Sequence, residues 1–138
     1  MADSVTQFSC RLEVGADNIE AALAIHARMT KDLEVDDGIA IGFVAEAATD
    51  SPSALWLHAQ EHGEPEHVIA FALCCAEAFN LKGRWGFSWA LTCSRPRLGA
   101  FGGGAQLVDL SARRSLAWVD CADWLARQLA AEPTRGGA

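Results

Sequence analysis

The sequence predicts an α+β sandwich, a mainly antiparallel sheet of about five strands with three or four helices packed on it. Three observations carry that prediction. Period-two alternation of apolar and polar residues marks strands, apolar residues at three- and four-residue spacing mark helices between them, and the connections are short and rich in Gly, Asp and Pro. The resulting order is β-α-(α)-β-α-β-β-β-α, with no internal repeat and no linker long enough to separate domains. One domain is therefore expected over residues 1–132, followed by a disordered tail over 133–138.

The first strand is given by Phe8, Cys10, Leu12 and Val14, which alternate with Ser9, Arg11 and Glu13. Gly15 breaks it. Asp17 is placed to cap a helix in which Ile19, Ala22, Leu23, His26 and Met29 to Leu33 recur at helical spacing. Asp36-Asp37-Gly38 marks a turn, and Ile41, Val44, Ala45 and Ala48 then suggest a short second helix ending before Asp50-Ser51-Pro52. Ser53 to Ala59, carrying Leu55, Trp56 and Leu57, reads as the second strand. The turn His62-Gly63-Glu64-Pro65 puts proline in the first helical position, and the helix it opens should reach Phe79. Val68, Ile69, Phe71, Ala72, Leu73, Cys75, Ala76 and Phe79 cover more than a narrow stripe, so burial on most sides is expected. Asn80 to Gly83 ends it.

From Arg84 to Thr92 the alternation is cleanest, with Trp85, Phe87, Trp89 and Leu91 on one face and Gly86, Ser88 and Ala90 on the other. The bulky face should lie buried beneath the central helix. Gln106 to Leu110 and Ser115 to Asp120 form an antiparallel hairpin turning at Ser111 to Arg114. Asp120, with Asp123 three residues on, supplies an N-cap, and Trp124, Leu125 and Leu129 give the last helix an apolar face. Most of the five tryptophans are expected in the core, where large aromatics contribute most.

At 138 residues and 51% hydrophobic, the chain is long enough for one substantial core. No apolar run approaches the roughly 20 residues of a membrane span, and Met1-Ala2-Asp3-Ser4 lacks a basic flank or apolar signal region, so a soluble, cytoplasmic protein without membrane association is expected. The five cysteines, odd in number and irregularly spaced, read as reduced thiols. A net charge of −7 argues against direct nucleic-acid binding, which draws its affinity from Lys and Arg on phosphates. It suits solubility, or contact with a basic protein surface.

The densest local signal is Cys93-Ser94-Arg95-Pro96-Arg97-Leu98-Gly99-Ala100-Phe101-Gly102-Gly103-Gly104, two arginines, a proline and four glycines between two strands. So much backbone freedom is costly to order and implies a reason. Backbone N–H groups at the glycines, with Arg95 and Arg97, would suit an anion. Yet nucleotide-binding glycine motifs run from strand to helix, and this one runs into the strand beginning near Gln106, so no nucleotide fingerprint is present. The plainer alternative is that Gly102 to Gly104 form a bulge or admit a neighbouring aromatic against the backbone.

Trp85-Gly86-Phe87-Ser88-Trp89, Thr92-Cys93-Ser94-Arg95-Pro96-Arg97, Phe101-Gly102-Gly103-Gly104-Ala105 and Asp123-Trp124-Leu125-Ala126 together resemble small uncharacterised acidic proteins of proteobacterial plasmids and integrative elements. The resemblance covers roughly Ser53 to Ala131. It implies a mobile-element context and brings no activity, cofactor or catalytic residue.

Two chemical readings compete with a binding role. His58, His62 and His67, with Cys93, are metal-ligand types, but the His58 to His62 interval crosses a strand end and turn, and Cys74-Cys75 diverge by about a hundred degrees on a helix, so no metal is expected. Cys93 beside Arg95 and Arg97 could serve as a nucleophile with His58 or His62 as base and Asp109 as orienter, although no local signature fixes those distances. The expectation is thus a non-enzymatic interaction or accessory protein that needs no cofactor. Cys93, Ser94, Arg95, Arg97, Phe101, Gly102, Gly103 and Gly104 would contact a protein partner or a second copy. A specific form is action on a host nucleic-acid-binding system through the acidic surface. The alternative is a small enzyme or anion-binding domain centred on Cys93, Arg95 and Arg97.

Overall fold

The computed structural model describes residues 4–131, and the tail expected over 133–138 lies outside them. Strand β1 (Ser4–Glu13) is followed by a 3-10 turn (Ala16–Asn18), helix α1 (Ile19–Asp32) and a π-helical turn (Leu33–Asp37). Then come β2 (Val44–Ala47), β3 (Ala54–Ala59), α2 (Pro65–Phe79), β4 (Arg84–Cys93), β5 (Gly102–Asp109), β6 (Arg114–Asp120) and α3 (Cys121–Ala130). The strands form one six-stranded sheet in the order β2-β3-β1-β4-β5-β6, antiparallel at every pairing. The α+β class and its element order are as the alternation and helical spacing predict, apart from one element.

That element is the short second helix. Its residues form β2, which pairs with the edge of β3 as Val44 opposite His58, Ala45 opposite Leu57, Glu46 opposite Trp56 and Ala47 opposite Leu55. Alanine favours a helix locally, but here the edge of β3 completes the backbone hydrogen bonding, and this tertiary pairing overrides a weak preference. The expected cap at Asp17 also differs. Asp17 lies inside the 3-10 turn, and Asn18 Nδ2 donates to Val14 O at 2.9 Å, fastening the start of α1 to the end of β1.

Alternation places Phe8 and Leu12 of β1, Leu55 and Leu57 of β3, Phe87 of β4 and Val108 of β5 in the core with Val68, Phe71, Ala72, Cys75 and Ala76 of α2. Direct pairing keeps their side chains on one side of the sheet: Leu12 lies opposite Leu55, and Cys10 opposite Leu57. Phe71 is fully buried, with ring centroids 5.4 Å from Phe43 and 5.9 Å from His26, while Phe8 meets Phe87 edge-on at 5.5 Å. Among the described residues no polar or charged side chain is buried. Helix α2 buries one face rather than most of its circumference, and Cys74, Glu77 and Ala78 are exposed. It stops where Asn80 turns left-handed and Leu81 N–H donates to Ala76 O.

The aromatic face of β4 is buried unevenly. Phe87 is buried, Trp85 and Trp89 are half-buried against the core, and Trp85 Nε1 donates to Arg11 O at 2.7 Å. The other three tryptophans depart from the expected core position, since Trp56, Trp118 and Trp124 are all exposed. Helix α3 buries none of its residues. Its Asp120 N-cap forms as predicted, accepting from Asp123 N–H at 2.9 Å, but its apolar face is turned to solvent.

Candidate interaction surface

Strand β4 runs out at Cys93, whose partner is Ser4 in β1, and the chain then leaves the sheet. Two tight backbone bonds shape the excursion: Arg97 N–H donates to Arg95 O at 2.8 Å, and Ala100 N–H to Arg97 O at 3.2 Å. Gly99, at φ 72°, supplies the left-handed step that returns the chain. The side chains of Arg95, Arg97, Leu98 and Phe101 are therefore held outwards, all exposed. Neither Arg95 nor Arg97 has an ion-pair partner among the described residues.

The glycine run belongs to the sheet. Strand β5 already begins at Gly102, so the irregular loop is shorter than the sequence implies, and Gly102, Gly103 and Gly104 lie opposite Leu91, Ala90 and Trp89. A methyl group on Gly104 would overlap the Val119 carbonyl and come within 2.6 Å of the Trp89 ring. One on Gly103, at φ 139°, would overlap the Trp89 carbonyl. The glycines thus admit an aromatic ring and close backbones, the second of the two reasons the sequence offers. Gly104 pairs with both Trp89 and Asp120, which places its backbone between two ladders instead of in an open anion-binding nest.

Opposite-strand register brings a second group to the same end of the sheet. Because Gly104 faces Asp120, the start of β5, the end of β6 and the start of α3 adjoin one another. Here Trp118 is 64% exposed, Trp124 51%, Leu125 51% and Leu129 77%, with Leu116 and Val119 also open. Trp118 and Gln106 of the sheet face Ile69 and Pro65 of α2 across a groove of about 530 Å³, floored in part by Trp89. Asp123 and Arg127 pair with each other on α3 at 3.1 Å. The sequence leads one to expect most of the tryptophans in the core and an apolar face on the last helix, and here Trp118, Trp124, Leu125 and Leu129 stand exposed. The signal that tells otherwise is that Leu116, Ala117, Trp118 and Val119 are apolar on both faces of a strand, directly before an amphipathic helix with nothing beyond it in the described chain to cover it.

The residues needed for cysteine catalysis are spread over the molecule. Asp109 lies opposite Arg84, at the far end of the β4–β5 ladder from Cys93, about 30 Å away at the rise of a strand. His58 Nε2 meets Glu46 Oε2 at 2.7 Å, with its ring stacked 3.7 Å from Trp56. His62 is exposed beside Glu61. His67 Nδ1 accepts from Gly42 N–H at 2.9 Å, so it braces the segment before β2, and His58, His62, His67 and Cys93 do not converge. All five cysteines are thiols. Burial pushes the thiols of Cys10 and Cys75 up to about 12, the latter helped by neighbouring Cys74, so both stay protonated at neutral pH.

The described residues also contain no helix long and apolar enough to cross a membrane. Compared with known proteins, the chain matches no family model, no curated protein and no solved structure.

Proposed function

We propose that this chain is a non-enzymatic protein-interaction domain, gripping a protein partner through the loop from Cys93 to Gly104 and the adjoining surface of β6 and α3. One observation carries the reading. Of the twelve large apolar residues exposed among the described residues, eight fall between Leu98 and Leu129: Leu98 and Phe101 on the loop, Leu116, Trp118 and Val119 on β6, and Trp124, Leu125 and Leu129 on α3. Exposed apolar residues concentrated in this way on neighbouring elements are the usual mark of a partner site. Tryptophan and arginine are enriched among the few residues that dominate binding at such sites, and here Trp118, Trp124, Arg95 and Arg97 are all exposed.

The accessory role in a mobile element belongs to the same proposal. The acid-rich turn, with Asp32, Glu34, Asp36 and Asp37 all exposed, gives the molecule a second, anionic surface suited to a basic protein such as a host nucleic-acid-binding factor.

Capture from a lysate of the native host tests the reading. The wild-type chain and an Arg95→Ala/Arg97→Ala/Phe101→Ala variant are immobilised side by side, and bound proteins are identified by mass spectrometry. A protein retained by the wild type and lost by the variant supports the loop as a contact. Equal recovery by both overturns it. The enzyme reading predicts instead that Cys93 alone is alkylated rapidly by iodoacetamide near neutral pH.

A further inference from the structure

Strand β6 closes the sheet on one side, and its outer edge has no neighbouring strand among the described residues. A seven-residue edge with Leu116, Ala117, Trp118 and Val119 at its middle is an open template for pairing, and natural sheets usually guard such edges with charge, proline or a covering element. Here charge stands only at the ends, Arg114 at the start and Asp120 at the finish. The bulge beside Leu116 adds twist but leaves Ala117 to Asp120 in regular register with β5.

We infer that the occupant of this edge is a second copy of the same chain, joined antiparallel along β6 about a two-fold axis near Ala117. The inference rests on the protein-interaction reading above and names its partner. Three features favour self-pairing. Antiparallel pairing centred near Ala117 brings the Arg114 end of each copy beside the Asp120 end of the other, whereas parallel pairing would bring like ends together. From Arg114 to Ala131 the charges are Arg114, Asp120, Asp123 and Arg127, which cancel, so this surface is locally neutral on a chain of net charge −7. Two copies can therefore meet here without the repulsion they would meet elsewhere. The surface is also large enough to contribute. Leu116, Trp118, Val119, Trp124, Leu125 and Leu129 are 36, 64, 38, 51, 51 and 77% exposed. With residue areas of roughly 150–250 Å², they expose on the order of 600 Å² per copy, the most these side chains can add towards the ~800 Å² per partner of a stable interface.

In this arrangement the two sheets become one continuous sheet, and each α3 starts beside the Arg114 end of its partner. The interface is isologous, as a two-fold dimer requires. The loop at Arg95 and Arg97 is carried twice on the assembly and remains available to another protein.

Light scattering behind size exclusion, on the full chain at tens of micromolar, should give twice the 14.7 kDa chain mass. Trp118→Lys, which lowers the net negative charge and so cannot act by general repulsion, should give a monomer with an unchanged circular dichroism spectrum. Leu129→Glu should do the same from α3 and stands in if the first variant misfolds. Arg114→Asp should weaken the dimer by roughly tenfold or more, because it sets two acids together at each end. Ala117→Cys in a Cys74→Ser/Cys121→Ser background should cross-link on mild oxidation, since opposed antiparallel residues lie ~4.5–5.5 Å apart at Cα, within disulfide reach. A monomeric wild type at all concentrations, a dimer indifferent to both Trp118→Lys and Leu129→Glu, or a dimer that fails to cross-link at position 117 would each overturn the inference. A monomeric wild type that still captures a partner through Arg95, Arg97 and Phe101 would sink self-pairing while sparing the interaction reading; a dimer that captures nothing would do the reverse.

Discussion

Gly104→Ala is the sharpest test of how the aromatic face of β4 meets β5. The added methyl would overlap the carbonyl of Val119 and stand 2.6 Å from Trp89 Cζ2, where ordinary carbon contacts lie near ~3.5–4.0 Å. Clearing the ring requires it to shift by about 1 Å, but the carbonyl belongs to the β5–β6 ladder and moves only if the strands part. Overpacking costs about 1–3 kcal/mol in general, and a fixed backbone obstacle puts this case near the upper end. At about 4 °C per kcal/mol for a chain of this size, the melting temperature should fall by roughly 8–12 °C. Urea unfolding followed by tryptophan emission, alongside a thermal melt by circular dichroism, reads both quantities. Gly102→Ala is the control, because a methyl there meets nothing within 4 Å, and its stability should stay within about 0.5 kcal/mol of wild type or rise slightly. If Gly104→Ala melts with the wild type, or both variants fall equally, Trp89 does not lie over Gly104 and the account of the glycine run is wrong.

Phe71→Ala, at the fully buried centre of the Phe43–His26 cluster, should cost about 3–5 kcal/mol in urea unfolding, and a loss under 1 kcal/mol would place Phe71 outside the core. The thiols of Cys10 and Cys75 are raised from 9.0 to about 12 in the folded chain, so their contribution to stability is complete below pH 9 and fades as pH climbs from 9 towards 12. The urea midpoint should fall over that range and do so less steeply in Cys75→Ala; a flat wild-type profile would contradict the burial of these groups. Asp120→Ala removes the cap on α3 and should cost about 0.5–2 kcal/mol, seen as faster amide exchange confined to Cys121–Ala130. Arg95→Ala/Arg97→Ala should leave the melting temperature nearly unchanged, since exposed charges contribute about 0–1 kcal/mol each; a large drop would show that the loop is a structural brace.

What the sequence discloses follows the strength of the local signal. Helix α2 is legible to the residue because proline opens it and Asn80 closes it, and β4 because large and small residues alternate without a break. Strand β2 is hidden because Val44-Ala45-Glu46-Ala47 has little intrinsic strand character and owes its conformation to the edge of β3. The candidate surface is half legible. The irregular segment carrying Arg95 and Arg97 is marked in the sequence by its proline and glycines, whereas the left-handed step at Gly99 and the merging of Gly102 to Gly104 into β5, which depends on Trp89 and Val119 arriving from two other strands, are not. The exposure of Trp118 and Trp124 escapes the sequence for a related reason: hydrophobicity tells that a side chain needs cover, but only topology tells whether the chain itself provides it.

The place of β1 in the sheet bears on how the molecule is assembled. Strands β2 and β3 form one ladder between close neighbours, and β4, β5 and β6 form another, so each can appear early from local contacts. The two are joined through β1, which pairs Leu12 with Leu55 on one side and Ser4 with Cys93 on the other. During synthesis the first strand waits, its second edge open, until β4 has been made. A lesion in β1 would do more than remove ten residues: it would divide the sheet into two halves, each with a fresh unpaired edge, and so turn a loss of stability into a route to aggregation.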